Sequence, residues 1–349
     1  MLSPQQASAA VFDARGASVF APRGYSRISN FAGEVMRVPR CPESERGDGD
    51  DRDRVFRFEN SGDLVGECFL EVAVVGEPPP DLRAALLLDV ASLEIGGEVV
   101  DAQPGRWIDA APFLATAQRE AVARLGSFEP DAARETWTAF VPLPFWFCRS
   151  PDQALPLVAA SRQHVEVRIE FAPGARVAGA DLYANMIYVD EHERRGLLSR
   201  PQSRLIERVQ LAEFDAPPGT ERFDARLNLR GLVKCIFFEA SGSDVAAASL
   251  LINGVQRFGP MPSRFWSAGS LLWSSPDRCA LPPGMHAMPL CTAPWSSQPT
   301  GAMNCSLLER IDLRLDLCGA RAEAGAEVRV YAWGYAFLRI ADGRVALIA

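Results

Sequence analysis

The sequence predicts an all-β protein built as two tandem antiparallel sandwiches, and three observations carry that prediction. Short runs rich in Val, Ile, Leu and Phe recur along the chain, bounded by Gly, Pro, Asp and Asn, which is the punctuation of strands and turns rather than of long helices. Two of them, HVEVRIEF (164–171) and RIDLRLDL (310–317), alternate apolar with charged residues, so each is expected to bury one face and wet the other. The chain has 349 residues, too many for one small sandwich at the usual ~100–200 residues per domain.

In chain order the strand signals are VFRFEN (55–60), CFLEVAVV (68–75), SLEIGGEVV (92–100), HVEVRIEF, LYANMIYVD (182–190), VKCIFFEA (233–240), RIDLRLDL and VRVYAWGYAFLRI (328–340). Gly96-Gly97 reads as the hairpin turn between SLEI and EVV. Helical spacing is confined to about 109–125, where Leu114, Ala117, Val122 and Leu125 approach one stripe, and to 191–198; both read as loop helices on a β scaffold. ESERGDGDDRDR (43–54) and EFDAPPGTERFD (213–224) read as loops or linkers. A boundary near 205–220 leaves each half enough residues for a jelly roll of about eight strands. The expected division is an N-terminal arm at 1–17, a first jelly roll at 18–208 and a second at 209–349, with no evident sequence repeat between the halves.

Composition excludes several functions. With 48% hydrophobic and 23% charged residues the chain is neither disordered nor collagenous. A formal net charge of -8 removes the general electrostatic drive toward phosphates, so no direct nucleic-acid binding is expected. Positive charge is almost all arginine, Lys234 being the single lysine. Eight cysteines show no C-x-x-C pair and no metal-ligand cadence with His164, His192 and His286. Cysteines inside apolar runs, such as Cys235, read as free thiols of a reducing compartment, and folding in the cytoplasm is expected. The start lacks a charged segment followed by an apolar one, and no run approaches the ~18–20 apolar residues that span a bilayer; neither signal-directed secretion nor anchoring is expected.

A catalytic reading has little to stand on. His164 beside Glu166 and Arg168 can be drawn as a general base with its orienting groups, but in an alternating strand these are more simply one outward face. No G-x-G-x-x-G or Gly-Lys-Ser/Thr loop occurs. Asn304-Cys305-Ser306 matches a glycosylation acceptor used only in the secretory pathway. Phe145, Trp146 and Phe147, framed by prolines, are more readily core or interface than a sugar site. No catalytic residue, cofactor-binding residue or metal ligand is nominated.

ETWTAFVPLPFWFCRSPDQALPLVAASRQHVEVRIEF (135–171) resembles a segment of the major capsid proteins of large nucleocytoplasmic DNA viruses, through Pro142, Pro144, Phe145 to Phe147 and Ala154 to Leu157, followed by the strand at 164–171. Other matches follow in family order. They are the opening strand SVFAPRGYSRISNF (18–31), then Gly62-Asp63-Leu64, then Glu94 to Gly97 with Trp107. The join between the halves is matched by Asp190, Glu193, Arg194, Arg195, Leu205, Ile206 and Gln210. Asn253-Gly254 with Arg257-Phe258, and Gln298-Pro299 with Gly301, Asn304 and Ser306, continue the series in the second half.

The resemblance implies a double jelly roll, and a structural, non-enzymatic subunit that closes into homotrimeric pseudo-hexagonal capsomers of an icosahedral virion. It implies contacts with neighbouring capsomers, minor capsid proteins and an internal viral membrane, and assembly in the host cytoplasm without a cofactor. Interfaces are expected on strand-connecting loops, with arginines pairing to carboxylates across subunits. Segments after Glu239 and around 172–181 are brief, which implies low outer towers. The alternatives are a minor capsid or scaffold paralogue and a carbohydrate-binding or cupin-like β-sandwich.

Overall fold

In a computed structural model of the chain, residues 30–41, 52–59, 62–115, 119–272, 281–296, 298–318 and 325–348 are described. The expected arm at 1–17, nearly all of the expected opening strand at 18–31 and most of the charged loop at 43–54 lie outside them.

The first set of strands is β1 (Phe31–Val38), β2 (Asp53–Phe58), β3 (Leu64–Val74), β4 (Leu88–Ile95), β5 (Glu98–Pro104), β6 (Glu129–Asp131), β7 (Thr136–Pro142), β8 (Leu155–Pro156), β9 (Val165–Phe171) and β10 (Val177–Val189). The second is β11 (Gln202–Ala216), β12 (Arg222–Leu227), β13 (Leu232–Ser241), β14 (Asp244–Ile252), β15 (Val255–Pro262), β16 (His286–Pro289), β17 (Met303–Asn304), β18 (Ile311–Cys318), β19 (Ala326–Ala341) and β20 (Arg344–Ile348). Helices α1 (Gly105–Ala115) and α2 (Arg119–Leu125) fill the β5-to-β6 connection, and α3 (Glu191–Ser199) joins the sets.

Topology decides the architecture. In the first set, β1-β10-β3-β7 form one sheet, extended by β6, and β2-β9-β4-β5 form the other. In the second, β11-β19-β13-β16 and β12-β18-β14-β15 do the same. With the short β6, β8, β17 and β20 set aside, both sets have eight strands ordered 1-8-3-6 against 2-7-4-5. This is the jelly roll, written twice.

Each roll is closed by its own apolar faces. Val165, Val167, Ile169 and Phe171 of β9 enter the first core; Ile311, Leu313, Leu315 and Leu317 of β18 enter the second. Opposite faces of these two seventh strands carry Glu166-Arg168-Glu170 and Asp312-Arg314-Asp316, a repeat visible only once the strands are aligned by position in the roll. The wet faces are only partly wet. Glu166 and Asp312 are buried because Arg57 Nε reaches Glu166 at 2.9 Å and Arg310 Nε reaches Asp312 at 2.6 Å.

Turns follow the expected chemistry. Gly96-Gly97 and Asn253-Gly254 all take positive φ between the fourth and fifth strands of their rolls, as tight hairpins require. The junction differs from the sequence reading. Strand β11 runs across 208/209 and all fifteen residues pair with β19, so the apolar and charged alternation there belongs to one continuous ladder. EFDAPPGTERFD is likewise mostly strand: Glu213–Ala216 finish β11 and β12 begins at Arg222. The sets are linked by α3, whose first turn is capped where Asp190 Oδ1 accepts from Glu193 N at 2.9 Å.

Candidate assembly surfaces

The residues weighed for catalysis are not assembled for it. His164 is exposed at the entry to β9, while Glu166 accepts from Arg57 and Arg168 bridges Glu94 at 2.9 Å and Asp53 at 2.5 Å. These carboxylates are held by arginines across strands. Among the described residues no group of His, Cys, Asp and Glu could hold a metal ion.

Chemistry concentrates where the rolls meet. The outward side of the second roll's β11-β19-β13-β16 sheet presents Val209, Cys235, Phe237, Tyr331 and Trp333, and α1 of the first roll covers it with Trp107, Ala110 and Ala111. Trp107 meets Phe237 edge-on, with ring centroids 5.2 Å apart, and lies 5.9 Å from Tyr331 and 6.0 Å from Trp333. Glycine begins α1 for a steric reason. A Cβ on Gly105 would sit 2.0 Å from Leu88 O and 2.6 Å from Ala85 O, so only glycine lets the helix leave β5 this close to the first roll's backbone.

Ionic groups flank the aromatic cluster. Lys234, fully buried, contacts Glu207 and lies 3.5 Å from the Trp333 ring centroid. Arg149 contacts the same carboxylate and lies 4.6 Å from that ring. Two basic side chains thus share one carboxylate. A guanidinium does not give up its proton, so burial and the neighbouring Arg149 lower the Lys234 ammonium to about 6. Burial also raises Asp101 to about 6, although Gln103 Nε2 donates to it at 2.8 Å. On the other side of Trp107, Glu239 accepts from Tyr331 Oη at 2.9 Å and Arg106 Nε at 3.0 Å. The single lysine in an apolar run was the sequence signal for this cluster; nothing local marked Glu207 or Arg149 as its partners.

The internal contact sets a fifth strand of one roll, β5, against a first strand of the other, β11. One fifth strand and one first strand are left over. On β15 of the second roll Val255 is 52% exposed and Met261 is also exposed; on β1 of the first roll Phe31 is 62% and Val35 67% exposed. The sheet behind β1 continues with half-buried Ile187 and Phe69 and exposed Phe140, ringed by Arg37 with Asp181 and Arg134 with Glu71. Many arginines expected to pair across subunits already pair within the chain, including Arg222 with Asp316 and Arg314 with Asp224.

Residues 18–190 match the family model described as the major capsid protein N-terminus, ending at the Asp190 cap of α3, and the two rolls have one topology. The chain belongs to the double jelly-roll major capsid protein family of large DNA viruses. It is 26% identical over 340 residues to the major capsid protein of Pyramimonas orientalis virus, a match covering 81% of this chain and 82% of the relative. It is 24% identical over 273 residues to that of Phaeocystis pouchetii virus, covering 59% of this chain but only 51% of that relative. Among solved structures, a chain of the PBCV-1 virus capsid superposes with a TM-score of 0.82 at 20% identity, over 95% of this chain and 100% of the other.

Proposed function

We propose that this chain is a structural major capsid protein of an icosahedral virion, and that it closes into homotrimers by repeating its internal roll-to-roll contact between copies. The observation that carries the trimer is the unmatched pair of strands. One fifth-to-first contact, β5 on β11, is made inside the chain, whereas β15 and β1 expose apolar side chains at the equivalent positions. Docking β15 of one copy beside β1 of the next uses different surfaces on the two partners, a head-to-tail contact that forms a ring when its rotation closes. Three copies place six rolls around one axis. Neighbouring capsomers, minor capsid proteins and an internal viral membrane are the further partners of this reading, and the virion shell is its location. The role is mechanical: packing and strand geometry do the work.

The test is native mass of the purified chain. A species of three times 38.0 kDa that dissociates on disruption of β1 or β15 is expected. A monomer at all concentrations up to those of assembly would overturn the trimer.

A further inference from the structure

Two thiols outside the seam share one acceptor. Cys68 Sγ lies 3.6 Å from Gly66 O, and Cys148 Sγ lies 3.5 Å from the same oxygen. Both sulfurs therefore lie within 3.6 Å of one carbonyl oxygen. Cys68 is buried on the core face of β3, and Cys148, half-buried, closes the turn Trp146–Cys148 and packs against the same core. Eighty positions separate them in sequence, so their meeting is a product of the fold: Leu143 N donates to Cys68 O at 3.0 Å and leads the chain from β7 into that turn.

From this juxtaposition we infer that Cys68 and Cys148 are an oxidisable pair that forms an intramolecular disulfide when the protein meets a small-molecule disulfide oxidant. The more accessible Cys148, as thiolate, attacks the oxidant, forming a mixed disulfide and releasing one small thiol. Cys68 then attacks the Cys148 sulfur and releases the second. Two protein thiols are oxidised, one oxidant disulfide is reduced to two thiols, and the two protons appear on the products or in buffer. Burial holds the Cys68 thiol well above its ordinary range, which keeps it protonated until Cys148 is engaged and makes Cys148 the point of entry.

The bond would tie β3 to the turn that carries Trp146, Phe147 and, one residue on, Arg149 at the roll junction. Closing a long loop constrains the unfolded chain most, so oxidation should harden the first roll and the support of the seam together. The chemistry does not depend on the capsid reading, and it is measured on the isolated chain.

The experiment equilibrates reduced, folded protein with glutathione disulfide, alkylates remaining thiols and maps peptides by mass spectrometry. A Cys68–Cys148 cross-linked peptide, lighter than its two reduced parts by two hydrogen atoms, is expected in the wild-type chain and absent in Cys148→Ser, where Cys68 should be recovered in its alkylated form, without glutathione. The thermal midpoint should rise by about 3 °C or more on oxidation of wild type only. Recovery of Cys148 as a glutathione adduct beside a free Cys68, or cross-linking of either to another cysteine, would overturn the pairing. The wild-type map decides this even if the serine variant folds poorly.

Discussion

Replacing Trp107 with alanine should cost about 4 kcal/mol and uncouple the two rolls. The indole is 1% exposed and inserted among Phe237, Tyr331 and Trp333. An aromatic side chain burying about 150–250 Å², at about 25 cal/mol per Å², is worth roughly 4–6 kcal/mol, and the retained methyl returns on the order of 1 kcal/mol. Large-to-small replacements of buried Trp fall at about 3–5 kcal/mol. Against a total of roughly 5–15 kcal/mol, that is a large share. Because Trp107 belongs to the first roll and its partners to the second, the loss falls on the contact between rolls rather than on either core. Urea unfolding followed by far-ultraviolet circular dichroism should show a midpoint lower by on the order of 1 M, with one transition splitting toward two. A loss below about 1 kcal/mol, still in one transition, would refute the assignment of α1 as the strut of the seam.

Three further outcomes follow from the same surfaces. Lys234 titrates near 6 when folded and near 10.4 when unfolded, so between these values the unfolded chain holds the extra proton and stability rises with pH, by up to about 1.4 kcal/mol per pH unit; in Lys234→Met the difference from wild type between pH 7 and 9 should show that slope removed, and parallel profiles would sink the claim. Gly105→Ala drives a methyl into Leu88 O and Ala85 O, and is expected to destabilise by roughly 2 kcal/mol or more; a denaturation midpoint equal to wild type would mean that α1 is free to shift. Val35→Arg, on the exposed face of β1, should leave folding within about 0.5 kcal/mol yet abolish the trimer in sedimentation, and an unchanged sedimentation profile would remove β1 from the interface.

Much of the architecture was legible because strand patterning is local. Alternation in HVEVRIEF and RIDLRLDL and the Gly96-Gly97 and Asn253-Gly254 turns each depend on neighbours in sequence, and each stands where local physics puts it. The alternation reading missed the burial of Glu166 and Asp312 because alternation assigns a side chain to a face but not the arginine that lies over it, here Arg57 from a separate strand and Arg310 from just before β18. The join motif from Asp190 to Gln210 covers α3 and the start of β11, whereas the turn residues at 217–219, the more conspicuous signal in sequence, make an ordinary turn between β11 and β12.

By itself, then, the sequence determined the all-β class and two rolls of about eight strands, since hydrophobic period and turn chemistry are written residue by residue, while its ordered motifs carried the resemblance to a capsid family. Only the tertiary structure decided that α1 is a strut between rolls rather than a surface loop helix, that the lone lysine shares Glu207 with Arg149, that Cys68 and Cys148 share the Gly66 carbonyl, and which fifth and first strands are left uncovered. Those depend on which faces the folded chain brings together, and hydrophobic burial is non-directional until topology chooses the partner.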